Sequence, residues 1–179
     1  MIVLVDSQDR AVGLGEKMDV HRRGLLHRAF SAFVFDAAGR LLLHQRAFGK
    51  YHCGGLWTNT CCSHPGPDET AAEAGERRLA EEMGFSCALT PLFGFEYRAE
   101  LDHGLVEHEY DHVLVGTSDA VPAPDPEEVA AYEWVALDEV ERRVHAHPER
   151  FTPWFRIALP RVVAALASSR RPVAAVPAA

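Results

Sequence analysis

One segment constrains the fold of this chain more than any other, and it spans residues 68–85 with the sequence DETAAEAGERRLAEEMGF. The segment predicts a helix, because Asp68 can cap the first turn, acidic side chains follow it, and Gly84 can end the last turn. Arg78 and Glu82 are four residues apart, so their side chains lie on the same face of this helix. The segment therefore fixes a group of charged side chains in known relative positions.

The remainder of the chain alternates between strand-like and helix-like segments that turn residues separate. Strands are predicted at residues 1–6, 25–36, 40–47, 92–100, 105–116 and 130–137, and further helices at 137–148 and 151–168. In the last helix Thr152 is the predicted N-cap, Pro153 takes the first helical position, and Pro160 is expected to introduce a kink. Because hairpins join several strands, the fold class is predicted to be α/β with a mixed sheet.

The composition excludes several classes of function. The 179 residues carry a formal net charge of −8, which argues against nucleic-acid binding. No segment approaches the roughly 18 consecutive apolar residues of a membrane span, and the N-terminal segment lacks the pattern of a signal peptide. We expect one cytoplasmic domain at residues 1–169, a disordered tail at 170–179, no membrane or nucleic-acid partner, and a monomer or weak homodimer.

The stretch WTNTCCSHP, residues 57–65, places two cysteines side by side and a histidine two residues later. A disulfide between adjacent cysteines needs a strained ring, and the cysteines of this chain lack the paired spacing of a structural zinc site. If the stretch is extended, Cys62 and His64 share one face, while Cys61 and Ser63 lie on the other. Two interpretations stay open: an inert buried thiol, or a reactive one.

A second chemical signal is the segment VEHEYD, residues 106–111, in a predicted strand. Glu107 and Glu109 would point to one face of that strand and His108 to the other. Two carboxylates on one face indicate either a solvated polar surface or a cation between them. Three histidines from elsewhere would complete a mixed nitrogen and oxygen site for a divalent metal, namely His21, His27 and His64.

The helix at residues 68–85 also resembles the Nudix box, which reads G-x5-E-x7-R-E-U-x-E-E-x-G-U, where U is apolar. The matching positions are Glu69, Arg77, Leu79, Glu81, Glu82, Gly84 and Phe85. Two positions depart from the box, because Ser63 replaces its first glycine and Arg78 replaces a metal-binding glutamate. Arg78 is suited either to binding phosphate oxygens or to a salt bridge with Glu82, and the helix sequence leaves both open.

Together these motifs resemble type 1 isopentenyl diphosphate isomerase, a divergent branch of the Nudix superfamily, over residues 2–168. The specific elements are a TNxxCxHP pattern, which ends at Pro65, and an xVExE pattern around Glu107. The resemblance implies a Nudix fold, in which a mixed β-sheet core is packed between α-helices as an α/β/α sandwich. It also implies an enzyme that interconverts isopentenyl and dimethylallyl diphosphate by adding a proton to one carbon and removing another from a neighbouring carbon.

The resemblance further implies roles for individual residues. The catalytic set comprises the thiol of Cys62, the carboxylate of Glu109, Tyr97 beside that carboxylate, and Trp154 over the reacting carbons. The ligands of one divalent metal, which is Mn²⁺, Mg²⁺ or Zn²⁺, are His21, His27, His64, Glu107 and Glu109. Glu82 is the ligand of a Mg²⁺ that also binds the small-molecule diphosphate substrate, and the cations around that diphosphate are Lys17, Arg46, Lys50 and Arg78.

The implied chemistry explains why these residue types are needed. Protonating an unactivated alkene gives a tertiary carbocation, which an indole face can stabilise and which must be kept from water. One proton is given and another is taken on opposite faces of the carbon skeleton, so two acid/base groups are required. Two other functions stay open: a Nudix pyrophosphohydrolase, against which Arg78 argues, and a metal-dependent binding protein, against which the complete acid/base pair argues.

Overall fold

The computed structural model describes residues 1–169, and the tail predicted to be disordered, 170–179, lies outside the described residues. The strands are β1 (Ile2–Val5), β2 (Ala11–Gly15), β3 (His27–Phe35), β4 (Arg40–Arg46), β5 (Trp57–Thr58), β6 (Cys61–Ser63), β7 (Thr90–Glu100), β8 (Val106–Thr117) and β9 (Val129–Ala136). The α-helices are α1 (Lys17–Arg23), α2 (Ala71–Met83), α3 (Leu137–Ala146) and α4 (Pro153–Ser169). None of the helices in the described part of the chain combines the length and hydropathy that crossing a membrane requires.

Strand β3 organises the sheet. One edge of β3 pairs in parallel with β8 along its whole length, from His27 opposite Glu109 to Phe35 opposite Thr117. The other edge pairs antiparallel with β1, β6 and β4 in turn. β7 extends the sheet beyond β8, and β9 pairs with β4. The sheet is therefore mixed, as predicted, and β6 and β8 lie on opposite edges of the same strand.

Helices cover both faces of this sheet. On one face Leu79 of α2 packs into a buried cluster with Phe30. On the other face Phe155 of α4 packs against Phe33, and their ring centroids are 5.9 Å apart. Since alternate side chains of β3 enter different apolar clusters, the strand is buried on both sides. This arrangement confirms the predicted α/β/α sandwich.

Helix α2 begins at Ala71, and the prediction of Asp68 as its N-cap is wrong. Thr70 is the N-cap: its hydroxyl accepts a hydrogen bond from the backbone N–H of Glu73, and the Glu73 carboxylate accepts one from Thr70. This reciprocal capping box satisfies two N–H groups at once, which Asp68, in the preceding turn, does not do. Gly84 ends the helix as predicted, in the left-handed region with φ of 73°.

Four short elements were not predicted: β2, α1, β5 and β6. Among them α1 matters most for function, because it carries Lys17 and His21. Glu16 caps its first turn by accepting backbone hydrogen bonds of 3.0 and 2.9 Å. The last helix, α4, starts with Pro153 and continues through Pro160. The kink expected at Pro160 stays a prediction.

Candidate active site

A cavity lies among β8, the β4–β6 region and helix α2, and most of the predicted site residues line it. The predicted residues on its wall are Lys17, Arg46, Lys50, Cys62, His64, Arg78, Glu82, Glu107, Glu109 and Trp154. The other predicted residues lie directly behind the wall, where His21 and His27 approach Glu107 and Tyr97 contacts Glu109. The fold thus brings residues from eight separate segments, spread over the chain, into one cluster.

Imidazole and carboxylate groups form a compact centre beside this cavity. The ligand atoms of His21, His27, His64 and Glu107 all lie within 4.8 Å of one another. Glu109 joins them, since its Oε1 is 3.5 Å from His27 Nε2 and 3.2 Å from His64 Nε2. The two carboxylates are only 3% and 8% exposed, so the interpretation as a solvated polar face does not hold for Glu107 and Glu109.

The hydrogen bonds of this centre test whether it fits a divalent metal. Nδ1 of His21 is 2.6 Å from the Lys17 carbonyl oxygen, and Nδ1 of His27 is 2.8 Å from that of Leu25. A carbonyl can only accept, so each Nδ1 carries the proton and each Nε2 offers its lone pair to the centre. His21 Nε2 and Glu107 Oε2 have no hydrogen-bond partner among the described residues. Inward lone pairs held by outer hydrogen bonds are the arrangement that metal-binding histidines use, so the residues fit the metal.

The ionisation of these groups also suits a cation. Burial lowers the pKa of His64 to about 4, so its imidazole is neutral at neutral pH. Burial and the nearby charge of Glu107 favour the protonated form of Glu109, but contacts with His27 and His64 outweigh both and hold its pKa below the usual range. The centre therefore presents the neutral imidazole of His64 beside the deprotonated carboxylate of Glu109.

Cys62 and Glu109 reach this cavity from strands on opposite edges of β3. Cys61, by contrast, is fully buried in the apolar cluster beneath α2, which confirms that the two thiols face different ways. Ser63 also lines the cavity, so strict alternation was wrong for that residue, and β6 ends there. Burial raises the pKa of the Cys62 thiol to about 12, so the sulfur holds its proton at neutral pH.

Two aromatic residues lie close to Cys62 and Glu109. The Tyr97 hydroxyl donates a hydrogen bond of 2.6 Å to Glu109 Oε2, because the two residues are directly opposite across β7 and β8. Trp154, at the start of α4, is 3% exposed and lines the cavity. The Arg46 guanidinium carbon lies 5.4 Å from the centroid of its ring, which already places one cation against the indole.

Basic side chains also line the cavity. Arg78 Nε donates a hydrogen bond of 3.0 Å to Glu82, so the salt bridge along α2 forms. Arg78 nevertheless lines the cavity too, and it therefore remains available to an anion. Burial and the charge of Lys50 lower the pKa of Lys17, and a bound anion would relieve that repulsion. Burial raises the pKa of Glu82, although the Arg78 charge opposes it.

The charged or polar wall residues that sequence reasoning missed include His52 and Glu128, as well as His44 and Tyr51. The Glu128 carboxylate forms salt bridges with Lys50 and with Arg78, the latter at 3.5 Å. His52 is 3% exposed, and its Nε2 lies 3.0 Å from Glu107 Oε1. Neither residue belongs to a recognisable motif, and the position of His52 two residues after Lys50 was the one available signal.

The fold and this site define a class of protein. A NUDIX domain family matches residues 25–155. The solved structure of DR0079 from Deinococcus radiodurans superposes with a TM-score of 0.74 at 20% identity, over 89% of this chain and 97% of that one. A MutT NUDIX hydrolase from Burkholderia pseudomallei gives 0.61 at 24% identity, over 76% and 98%. At sequence identities of 20% and 24%, these superpositions show a shared fold and nothing about function. The matched domain covers most of the chain, which is a Nudix protein.

More similar relatives narrow this class. The chain is 50% identical over 161 residues to the isopentenyl-diphosphate delta-isomerase of Pectobacterium atrosepticum, with 90% of each chain covered. It is 52% identical over 160 residues to that of Burkholderia multivorans, which covers 89% of this chain and 91% of the relative. Isomerase 1 of Aromatoleum aromaticum is 47% identical over 97% of this chain and 98% of its own. The chain belongs to the isopentenyl-diphosphate delta-isomerase family.

Proposed function

We propose that this chain isomerises isopentenyl diphosphate to dimethylallyl diphosphate for isoprenoid biosynthesis. The observation that carries the proposal is that the Cys62 thiol and the Glu109 carboxylate face one cavity from opposite edges of β3. One group adds a proton to the terminal alkene carbon, and a tertiary carbocation forms at the branched carbon. The other group removes a proton from the methylene carbon next to it, so the double bond moves and the substrate keeps its composition.

The pair carries one exchangeable proton between its two members at neutral pH. The pKa of about 12 leaves that proton on Cys62, while the lowered pKa of Glu109 leaves a carboxylate. In each turnover the protonated group gives up its proton and the deprotonated group gains one. The reverse reaction therefore starts with the proton on the other group. This exchange explains why both directions can use the same two groups.

Neighbouring residues support the carbocation and the carboxylate. Trp154 presents an indole to the cavity, and an aromatic face stabilises a cation without donating an electron pair for a new bond. The Tyr97 hydroxyl fixes one oxygen of Glu109. Since Tyr97, Trp154 and Glu109 are each less than a tenth exposed, little water reaches the reacting carbons.

We propose two divalent metal sites, one beside this cavity and one within it. The first comprises His21, His27, His64, Glu107 and Glu109, and Mn²⁺, Mg²⁺ and Zn²⁺ all suit such a mixture. The second uses Glu82 to bind Mg²⁺ together with the diphosphate. When bound, the metals would neutralise the clustered carboxylates and the diphosphate charge.

The diphosphate is held by local cations on an acidic protein. The net charge of −8 would repel this anion, but a cluster of basic side chains lines one part of the cavity, namely Lys17, Arg46, Lys50 and Arg78. We propose that residues 1–169 act as one catalytic domain on this small molecule, without nucleic acid or membrane. A cytoplasmic location and a monomeric or weakly dimeric state stay predictions from the sequence.

A product assay tests the proposal. The full chain is incubated with isopentenyl diphosphate, Mg²⁺ and Mn²⁺, and both C5 diphosphates and free phosphate are quantified by chromatography. Formation of dimethylallyl diphosphate without release of phosphate is expected. Phosphate release without that product would indicate a Nudix hydrolase, and substrate binding without any product would indicate a binding protein; either result would overturn the proposal.

A further inference from the structure

His52 lies between the imidazole and carboxylate centre and Trp154, and the proposed chemistry gives it no role. Its ring centroid is 6.0 Å from that of His21 and 5.8 Å from that of Trp154, edge to face with the latter. The side chain is 3% exposed, yet neither Nδ1 nor Nε2 has a hydrogen-bond partner among the described residues. Buried polar atoms are nearly always partnered, so this imidazole needs an explanation.

The two oxygens of Glu107 point in different directions. Oε2 lies 3.3 Å from His21 Nε2 and 3.7 Å from His27 Nε2, inside the proposed metal centre. Oε1 lies 3.0 Å from His52 Nε2 on the other side. That distance suits a hydrogen bond, although His52 Nε2 does not meet the angular requirement for one, so a rotation of either side chain is needed to align the N–H with the oxygen.

His52 is therefore placed to act on a metal ligand rather than to be one. The group of mutually close ligand atoms comprises His21, His27, His64 and Glu107, and it does not include His52. Side chains that hydrogen-bond to the outer atom of a metal ligand fix the orientation of that ligand, and their loss weakens metal binding. A neutral imidazole protonated at Nε2 supplies such a donor to Glu107.

We propose that His52 is a positioning residue that donates an Nε2–H hydrogen bond to Glu107 Oε1 and so directs Oε2 into the metal centre. This inference rests on the proposed function, because it concerns the metal site of the same cavity. A purely structural role is the competing explanation, since the His52 ring also packs 4.3 Å from the ring centroid of Tyr51.

Three variants of His52 separate these explanations. His52→Phe keeps an aromatic ring of similar volume but removes the hydrogen-bond donor. His52→Leu also removes the donor and replaces the ring with an aliphatic side chain. His52→Gln keeps an N–H donor on a side chain of different shape. The control is His103→Phe, because the His103 side chain is 77% exposed and lies in the loop before β8. If one apolar variant does not fold, the other still gives the comparison with His52→Gln.

Binding of Mn²⁺ alone to the full chain is measured from the free-ion signal in electron paramagnetic resonance, without diphosphate. The affinity of the two apolar variants for Mn²⁺ is expected to fall by a factor of about ten or more. His52→Gln is expected to recover most of the affinity, and His103→Phe to match the wild type. Unchanged affinity in the apolar variants, equal losses in all three His52 variants, or no Mn²⁺ binding by the wild type would overturn the proposal. Turnover of isopentenyl diphosphate is measured separately. If the wild type is inactive but the Mn²⁺ affinities of the variants follow the expected order, the proposed function is contradicted and the role of His52 is not.

Discussion

The Tyr97 hydroxyl donates a hydrogen bond of 2.6 Å to Glu109 Oε2, and both side chains are buried. The other oxygen, Oε1, faces His27 and His64 at 3.5 and 3.2 Å. Burial and the charge of Glu109 raise the pKa of Tyr97 well above its usual range, so the hydroxyl stays a donor. The proposed catalytic carboxylate is thus held from two sides, by a phenol and by the imidazole centre.

Replacing this tyrosine is expected to slow turnover without weakening substrate binding. Tyr97→Phe removes a hydrogen bond to a charged group, worth about 1.5–3 kcal/mol, which corresponds to roughly 10- to 100-fold in kcat. KM for isopentenyl diphosphate should change little, because Tyr97 contacts Glu109 and is not among the residues that line the cavity with the diphosphate cations. Tyr110→Phe, which alters the other face of β8, is the control. A rise in KM with unchanged kcat would contradict this role.

The two adjacent thiols should behave differently. Cys62→Ala is expected to abolish isomerisation while pyrophosphate binding persists, because the sulfur lines the cavity and the cations remain. Cys61→Ala is expected to lower the free energy of unfolding by about 1 kcal/mol, since Cys61 is fully buried beneath α2, and to keep isomerase activity. Activity assays and urea unfolding of both variants check this, and equal losses of activity would count against the difference in facing.

Glu128 is expected to compete with the substrate anion. Its carboxylate pairs with Lys50 and Arg78, two of the cations proposed to bind diphosphate. Glu128→Gln should therefore bind pyrophosphate more tightly, by about fivefold if the lost pairs are worth about 1 kcal/mol. Isothermal titration without divalent metal measures this, with the exposed neighbour Glu127→Gln as control. Weaker binding by Glu128→Gln would indicate instead that the carboxylate positions the two cations.

The Nudix helix should show a pH-dependent contribution to stability. Hydrogen bonds from Arg77 lower the pKa of Glu69 from 4.5 to about 2. Because the folded value is the lower one, the stabilisation is complete above about pH 4.5 and is lost as the pH falls to about 2. Glu69→Gln should lower the free energy of unfolding by about 1 kcal/mol at pH 7 after allowance for solvent screening, and by less at pH 3. Urea unfolding at both pH values measures the difference, with exposed Glu141→Gln as control, and a cost that does not shrink at pH 3 would contradict this assignment.

Local patterns predicted much of the site because they depend on a few neighbouring residues. Alternation along β8 placed Glu107 and Glu109 on one face, and the same rule separated Cys62 from Cys61. Whether the Glu107 face is buried could not be read locally, because α1, which brings His21 against Glu107, is distant in sequence. The helix α1 itself was missed since its seven residues are too few for a periodic signal.

Contacts between motifs could not be predicted in this way. Glu128 reaches Lys50 from the loop before β9, and His52 reaches Glu107 from the loop after β4. Each contact depends on how separate segments pack, and neither residue stands in a spacing that indicates its partner. The resemblance to a family supplied the roles of His21 and Trp154, which neither periodicity nor composition would have singled out.

Deuterium exchange tests the proposed acid/base pair most directly. Isopentenyl diphosphate is incubated with the wild type, Cys62→Ala and Glu109→Gln in D₂O with Mg²⁺ and Mn²⁺, and deuterium is located by NMR. The wild type is expected to place deuterium in both C5 diphosphates, because each direction of the reaction adds a proton derived from solvent. The two variants should give no exchange. Absence of deuterium and of dimethylallyl diphosphate in the wild-type reaction, or full exchange in Cys62→Ala, would contradict the assignment of Cys62 and Glu109.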